Sequence, residues 1–263
     1  MKRLTKLLSV LAVAALAACG GGYRGGGGVT SADFGGGPTR FGDRAPHTWT
    51  GGHPYGHQVH GIDISRWQGD INWAQVRGSG VSFVFIKATE GADHSDPSFR
   101  RYWAESAQAR IPRGAYHYFY FCRSGAQQAR WFIANVPRER GALPPVLDLE
   151  WTASKTCPRR PPSHEVLREA KIFKDMLHQH YGQRPIIYTT VDFYRDNNLG
   201  SWPEEFWLRS VAGHPREVYP GQRWTFWQYS GTGIVPGIKG DVDLNAFAGN
   251  QLQWRQWLNR RLQ

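Results

Sequence analysis

Acidic residues are in short supply along this chain: 21 Asp and Glu stand against 32 Lys and Arg over 263 residues, a net charge of +11. No dense Lys/Arg run accompanies that excess, and the bases are mostly scattered arginines. Scattered charge argues against a dedicated nucleic-acid arm, so no nucleic-acid partner is expected; it suits a solvated surface or work among anionic polymers and lipids. Cysteine is scarcer still. Its three residues have no neighbours at metal-ligand spacing, so neither a zinc site nor any other metal or cofactor is expected. The apolar run at 7–16 is too short for an ordinary membrane span, and no internal repeat is present.

Aromatic residues, by contrast, are plentiful, at 14% with 12 Trp. Most are expected to fill a core, and a minority to present flat faces of the kind that stack on sugar rings. The N-terminus carries a targeting pattern. Lys2, Arg3 and Lys6 precede the apolar run, which ends Leu16-Ala17-Ala18-Cys19. Positive charge, a short apolar stretch and small residues mark 1–18 as a signal peptide. Its ending resembles a bacterial lipobox, in which Cys19 is lipidated; an ordinary signal peptide with an incidental Cys is the other reading. Acylation would anchor the protein rather than thread it through a membrane. Gly20 lacks the acidic character that signals inner-membrane retention, so the expected location is the cell envelope, on an outer membrane facing the periplasm. Cys122 and Cys157 then remain as an even pair in an oxidising compartment, either joined as a disulfide, which is the expectation, or left as two thiols.

Residues 19–57 are rich in Gly, Pro, Thr and Ser without apolar periodicity. They read as a flexible linker with a reach on the order of 35 Å, leaving 58–263 as a single folded domain. Strand patterns are expected at 59–65, 82–87, 114–121, 145–150, 184–189, 206–209, 225–229 and 242–247. Helices are expected at 97–109, 126–135, 163–181 and 251–262, with Ser163 as an N-cap and Glu165 in the first turn. Alternating strands and helices imply an α/β fold with a mainly parallel sheet. About eight strands over roughly 200 residues imply closure into a barrel, whose functional groups sit at the C-terminal strand ends.

That is where the scarce acids fall. Asp148 and Glu150 lie two apart on one strand, hence on one face. Two carboxyls in unlike environments can supply the acid and the negative charge that glycosidic cleavage needs. Like charges on an enclosed face raise at least one pKa, keeping a proton available. Asp63 and Asp243 occupy the ends of the first and last strands, neighbours in a closed barrel. Singly each could be a loop cap or turn residue. Together the four form an acidic ring at one mouth.

Seven motifs occur in order: Gly-Ile-Asp-Ile-Ser (61–65), Ile-Lys-Ala-Thr-Glu-Gly (86–91), Gly-Ala-Tyr-His-Tyr-Phe (114–119), Leu-Asp-Leu-Glu (147–150), Ile-Tyr-Thr (187–189), Trp-Gln-Tyr-Ser (227–230) and Val-Asp-Leu-Asn-Ala-Phe (242–247). Over about 59–250 the chain resembles the glycoside hydrolase family 25 muramidases, the Chalaropsis-type lysozymes. The resemblance implies a modified TIM-like barrel, (β/α)5 followed by three strands. It also implies a peptidoglycan substrate, cut at the β-1,4 bond between N-acetylmuramic acid and N-acetylglucosamine. Carried over, Glu150 is the general acid. Asp148 stabilises positive charge or orients an acetamido nucleophile, while Asp63 and Asp243 hold substrate or water. Tyr118, Tyr188, Trp227 and Gln228 match substrate-binding positions. Glu90 matches one too, or forms a structural pair with Lys87.

One strand departs from the pattern. Where the family has Trp-Ile/Val-Ala, this chain has Trp207-Leu208-Arg209. Arg209 either lies on the surface, the favoured reading, or enters the cleft to bind an anionic group such as a lactyl or peptide carboxylate. A monomer is expected. A silent peptidoglycan-binding lipoprotein and a hydrolase of another aminoglycan such as chitin are the rival readings. Retention or inversion stays open, because side-chain separation is not written in a sequence. For the anchor, Cys19→Ala is expected to move the protein from membranes into the soluble fraction; persistent membrane association on fractionation would refute lipidation.

Overall fold

Side chains on a strand alternate between two faces, and here that alternation is used to fill a closed cylinder. The computed structural model describes residues 40–152 and 154–261. The expected signal peptide and Cys19 lie outside the described residues. Six strands run parallel in sequence: β1 (His60–Ile64), β2 (Val81–Glu90), β3 (Arg113–Tyr118), β4 (Val146–Leu149), β5 (Ile186–Thr189) and β6 (Phe206–Arg209). β7 (Phe226–Ile234) pairs parallel with β6, and β8 (Val242–Phe247) closes the ring by pairing antiparallel with both β7 and β1. Helices α1 (Trp73–Gly78), α2 (Phe99–Gln108), α3 (Gly125–Asn135), α4 (Ser163–Tyr181) and α5 (Val191–Asp196) cover the first five connections. Beyond β6 the cover reduces to the one-turn α6 (Pro215–Val218), and α7 (Gln251–Arg261) ends the described chain. The architecture is therefore the single α/β barrel of five β/α units plus three strands.

The N-terminal end of the cylinder is packed with aromatic rings. Phe83 lies 4.9 Å from Phe226 between centroids, and Phe226 lies 5.8 Å from Phe247. α7 closes this end from below, setting Trp254 5.4 Å from Phe83 and Trp257 5.4 Å from Phe226. Glycine makes the room. A Cβ on Gly61 would stand 2.5 Å from both the ring and the carbonyl oxygen of Phe83, and one on Gly114 would stand 2.8 Å from the Phe85 ring. The other faces of the strands build a second apolar layer under the helices, with Ile62, Val84, Ile86, Leu147, Ile187 and Leu208 buried.

Two local expectations need revision and two others hold. The packed domain starts before residue 58: Phe41 and Tyr55 are buried, Gly42–Asp43 pairs with Ile234 and Gly233, and Trp49 packs edge-on against Trp227 at 5.2 Å. Residues 40–57 thus belong to the barrel wall and not to a linker, because the sparse aromatics among the glycines find apolar seats on it. Ser163 is not the cap of α4. Pro162 takes that place, and the Ser163 hydroxyl donates to the Asn197 carbonyl at 3.0 Å. Glu165 does sit in the first turn, where it holds Arg159. Cys122 and Cys157 are bonded, with Cα atoms 5.7 Å apart, and tie the loop after β3 to the loop after β4.

Gly61→Ala should lower stability by about 1–3 kcal/mol through overpacking, read as a reduced midpoint in chemical denaturation. Gly78→Ala, whose added Cβ would meet nothing within 4 Å, should stay within about 1 kcal/mol of the parent. Equal responses would dismiss the steric role of Gly61.

Candidate active site

At the C-terminal mouth the inward side chains change from rings to polar groups. Asp63 and Ser65 follow from β1, Lys87 from β2, Tyr116 and Tyr118 from β3, and Asp148 and Glu150 from β4. Tyr188 and Thr190 come from β5, Trp207 and Arg209 from β6, Gln228 from β7 and Asp243 from β8. Together with Trp67 they line a cavity of about 490 Å³. Trp67 is 75% exposed and carries the Arg66 guanidinium over its ring at 4.5 Å.

Asp63 and Asp243 are directly paired across β1 and β8. Two amides converge on Asp63 Oδ2: Gln228 Nε2 donates at 2.9 Å and Asn245 Nδ2 at 2.8 Å. Each amide is turned by a donor behind it. Trp207 Nε1, which can only donate, gives its proton to Asn245 Oδ1 at 2.7 Å, and Tyr188 gives its hydroxyl proton to Gln228 Oε1 at 2.8 Å. Both NH₂ groups are therefore aimed at Asp63, which makes it the better site for negative charge. Asp243 lacks that support. Burial, and then the Asp63 charge, push its carboxyl up to about 8, so the proton of this pair resides on Asp243.

The second pair lies on β4. Asp148 is buried between Tyr118 and Tyr188 in register, and among the described residues its Oδ1 has no hydrogen-bond partner. Burial raises its pKa well above the usual carboxylate range, and the neighbouring Glu150 raises it further, with Lys87 opposing. Burial also raises Glu150, offset by the Tyr118 hydroxyl and Arg209. Like-charge repulsion and desolvation together disfavour ionising both carboxyls of this pair at once.

Asp148, Glu150, Asp63, Asp243, Tyr118, Tyr188 and Gln228 thus meet in one cavity. Trp227 and Glu90 do not line it. Trp227 is adjacent to Gln228 on the same strand and so must face the other way. It is fully buried in the outer layer, its Nε1 donating to the Ser210 carbonyl at 2.7 Å. A register shift between Lys87 and Thr89 brings Glu90 back beside Lys87, where it forms an ion pair and accepts a 3.1 Å hydrogen bond from Tyr120. Arg209 is in the cleft and not on the outer surface. Trp67, Trp207 and Asn245 also belong to the site. Trp207 and Arg209 were legible as an i, i+2 pair on one strand face, whereas the contact of Asn245 with Asp63 needs the barrel closed. Among the described residues, no group of three or more His, Cys, Asp or Glu is arranged to hold a metal ion.

The family model for Glycosyl hydrolases family 25 matches residues 62–238. Lysozyme M1 of Streptomyces globisporus is 37% identical over 209 residues, covering 73% of this chain and 68% of that protein. An Escherichia coli K12 protein described only as uncharacterized, YegX, is 38% identical over 201 residues, covering 74% and 72%. The solved structure of a family 25 glycosyl hydrolase from Bacillus anthracis superposes with a TM-score of 0.71 at 34% identity, over 81% of this chain and 97% of that one.

Because the Asp243 carboxyl keeps its proton to about pH 8 while an unfolded Asp loses it near 4, the folded state binds the extra proton between those values. Its contribution to stability therefore falls as pH rises through that window. Asp243→Asn should melt higher than the parent at pH 8, with the advantage shrinking towards pH 4. A pH-independent difference in thermal melts would contradict this assignment.

Proposed function

The chain belongs to family 25 of the glycosyl hydrolases, and we propose that its cavity cuts the muramoyl β-1,4 bond of peptidoglycan with Glu150 as the proton donor. The observation that carries the residue assignment is the buried Asp148–Glu150 pair, with one carboxyl oxygen left unsatisfied. A sugar with an N-acetyl group brings the missing donor. Its amide N–H, directed at Asp148 Oδ1, would favour the ionised form of Asp148 and leave the shared proton on Glu150.

In this reading the acetamido carbonyl oxygen attacks the anomeric carbon while the glycosidic C–O bond breaks and Glu150 protonates the departing oxygen. Ionised Asp148 holds the N–H of the ring so formed. Glu150, now a carboxylate, takes a proton from the water that reopens it. Asp63, raised by burial only to about 6 because its two amides oppose the shift, and Asp243, raised to about 8, supply an acceptor and a donor for a substrate hydroxyl or that water. Trp67 offers a flat face at the rim on which a sugar can stack.

We place the enzyme in the envelope through lipidated Cys19, on the leader pattern at 1–18.

Glu150→Gln should lower turnover on purified peptidoglycan by about 10²- to 10⁴-fold and leave the thermal melt intact. Mass spectrometry of wild-type products should find N-acetylmuramic acid at the new reducing ends. Near-parental turnover in the variant would remove Glu150 from the acid role; reducing N-acetylglucosamine would reassign the bond.

A further inference from the structure

Among the described residues two cationic side chains line the cavity, Lys87 and Arg209. Lys87 is neutralised by Glu90 and sits 5.0 Å from the centroid of the Tyr118 ring. Among the described residues Arg209 has no such partner at ion-pair distance, although the charges of Asp63, Glu150 and Asp243 all respond to it. Its strand end is held firmly. The Arg209 carbonyl accepts from the Tyr219 hydroxyl at 2.6 Å, and Trp207, two residues back on the same face, stacks on Phe85 at 4.8 Å. The chain therefore fixes the backbone of an arginine at the mouth and leaves its five-donor fork facing the space a glycan strand must enter.

A guanidinium matches a carboxylate with two parallel hydrogen bonds, and gains from partial desolvation as a cleft fills. A strand of N-acetylglucosamine alone offers it no anion. A muramoyl strand does, through the lactyl carboxylate or through carboxylates of the stem peptide attached there. We propose that Arg209 binds a substrate carboxylate carried by the muramoyl residue, and so is the side chain that separates peptidoglycan from neutral aminoglycans. The inference rests on the muramidase reading. The rival role for Arg209 is local, as a counter-charge for Asp63, Glu150 and Asp243 with no contact to substrate.

Binding measured in a Glu150→Gln background separates the two roles without turnover. Glu150→Gln protein and the Glu150→Gln/Arg209→Met double variant are titrated with three soluble glycan strands. One is stripped of stem peptides and bears free lactyl carboxylates, one is the same strand with those carboxylates amidated, and one keeps its stem peptides. Arg209→Met should weaken binding of a carboxylate-bearing strand by roughly 10- to 100-fold and change binding of the amidated strand less than about twofold. The larger loss on the stripped strand would identify the lactyl carboxylate, and on the intact strand the stem peptide. Equal losses on charged and amidated strands, with a shifted pH profile of kcat for Arg209→Met in otherwise intact enzyme, would overturn the proposal in favour of the local role. Should Arg209→Met fail to fold, Arg209→Gln takes its place in the same comparison. If the wild-type protein released no reducing ends from peptidoglycan, the muramidase reading would fall while the binding comparison still reported on Arg209.

Discussion

Four carboxyl groups face one another in a cleft of about 490 Å³, and the rest of the site is arranged around the repulsion this creates. Ionising all of them out of bulk water would be costly. Three devices reduce the charge to a tolerable level. Gln228 and Asn245 supply fixed donors to Asp63, so that one carboxyl of its pair can be charged. Asp243 and the Asp148–Glu150 pair keep protons that exposed acids would lose. Lys87 and Arg209 add positive charge without entering an ion pair with any of the four. What results is a site carrying both a stable anion and available protons at one pH, the combination acid-assisted glycosidic cleavage requires.

The arrangement depends on what lies beneath it. Water entering from the N-terminal end would solvate the carboxyls and lower their pKa values. The packed floor of Phe83, Phe226 and Phe247, closed by Trp254 and Trp257 of α7, leaves the mouth as the open end. Two of the orienting donors also belong to aromatic side chains of the barrel interior. Trp207 and Tyr188 pack against each other at 4.7 Å while turning Asn245 and Gln228. The apolar interior and the hydrogen-bond network are one construction. Replacing Trp207 with a ring that lacks an N–H would fill the space and leave the Asn245 amide free to rotate.

Much of this was legible in the chain because the informative signals are local. Acids at i and i+2 on an apolar strand must share a face, so Asp148 and Glu150 could be paired from the sequence. Asp63 and Asp243 needed one further step, that first and last strands meet when a barrel closes, and their register bears it out. The misplacement of Trp227 has a different origin. Trp227 and Gln228 were both assigned to the cleft as members of one motif, although adjacent strand residues cannot both point inward. Glu90 was open between substrate and a pair with Lys87, and the register shift beside it decides for the pair. The seating of residues 40–57 was illegible for another reason: a few aromatics among glycines have no periodicity, and the surface that receives them is assembled from strands some 180 residues later.

The position of the proton in the Asp148–Glu150 pair follows from its surroundings. In the free site burial favours protonated Asp148, since Tyr118 and Arg209 both help Glu150 to ionise and nothing among the described residues donates to Asp148 Oδ1. That is the wrong way round for Glu150 to act as the acid. A ligand donating one amide hydrogen bond to Asp148 removes its disadvantage, and the charge it stabilises there then raises Glu150 by repulsion. Under the proposed mechanism the catalytic protonation state would in this way be assembled by the substrate, and only by one with an acylated amine in the right place. A sugar with a free ammonium group would bring positive charge to the same oxygen but no carbonyl to attack the anomeric carbon. Selectivity for the N-acetylated sugar would then reside in the reaction step as well as in binding, which is where differential stabilisation has the greatest leverage on rate.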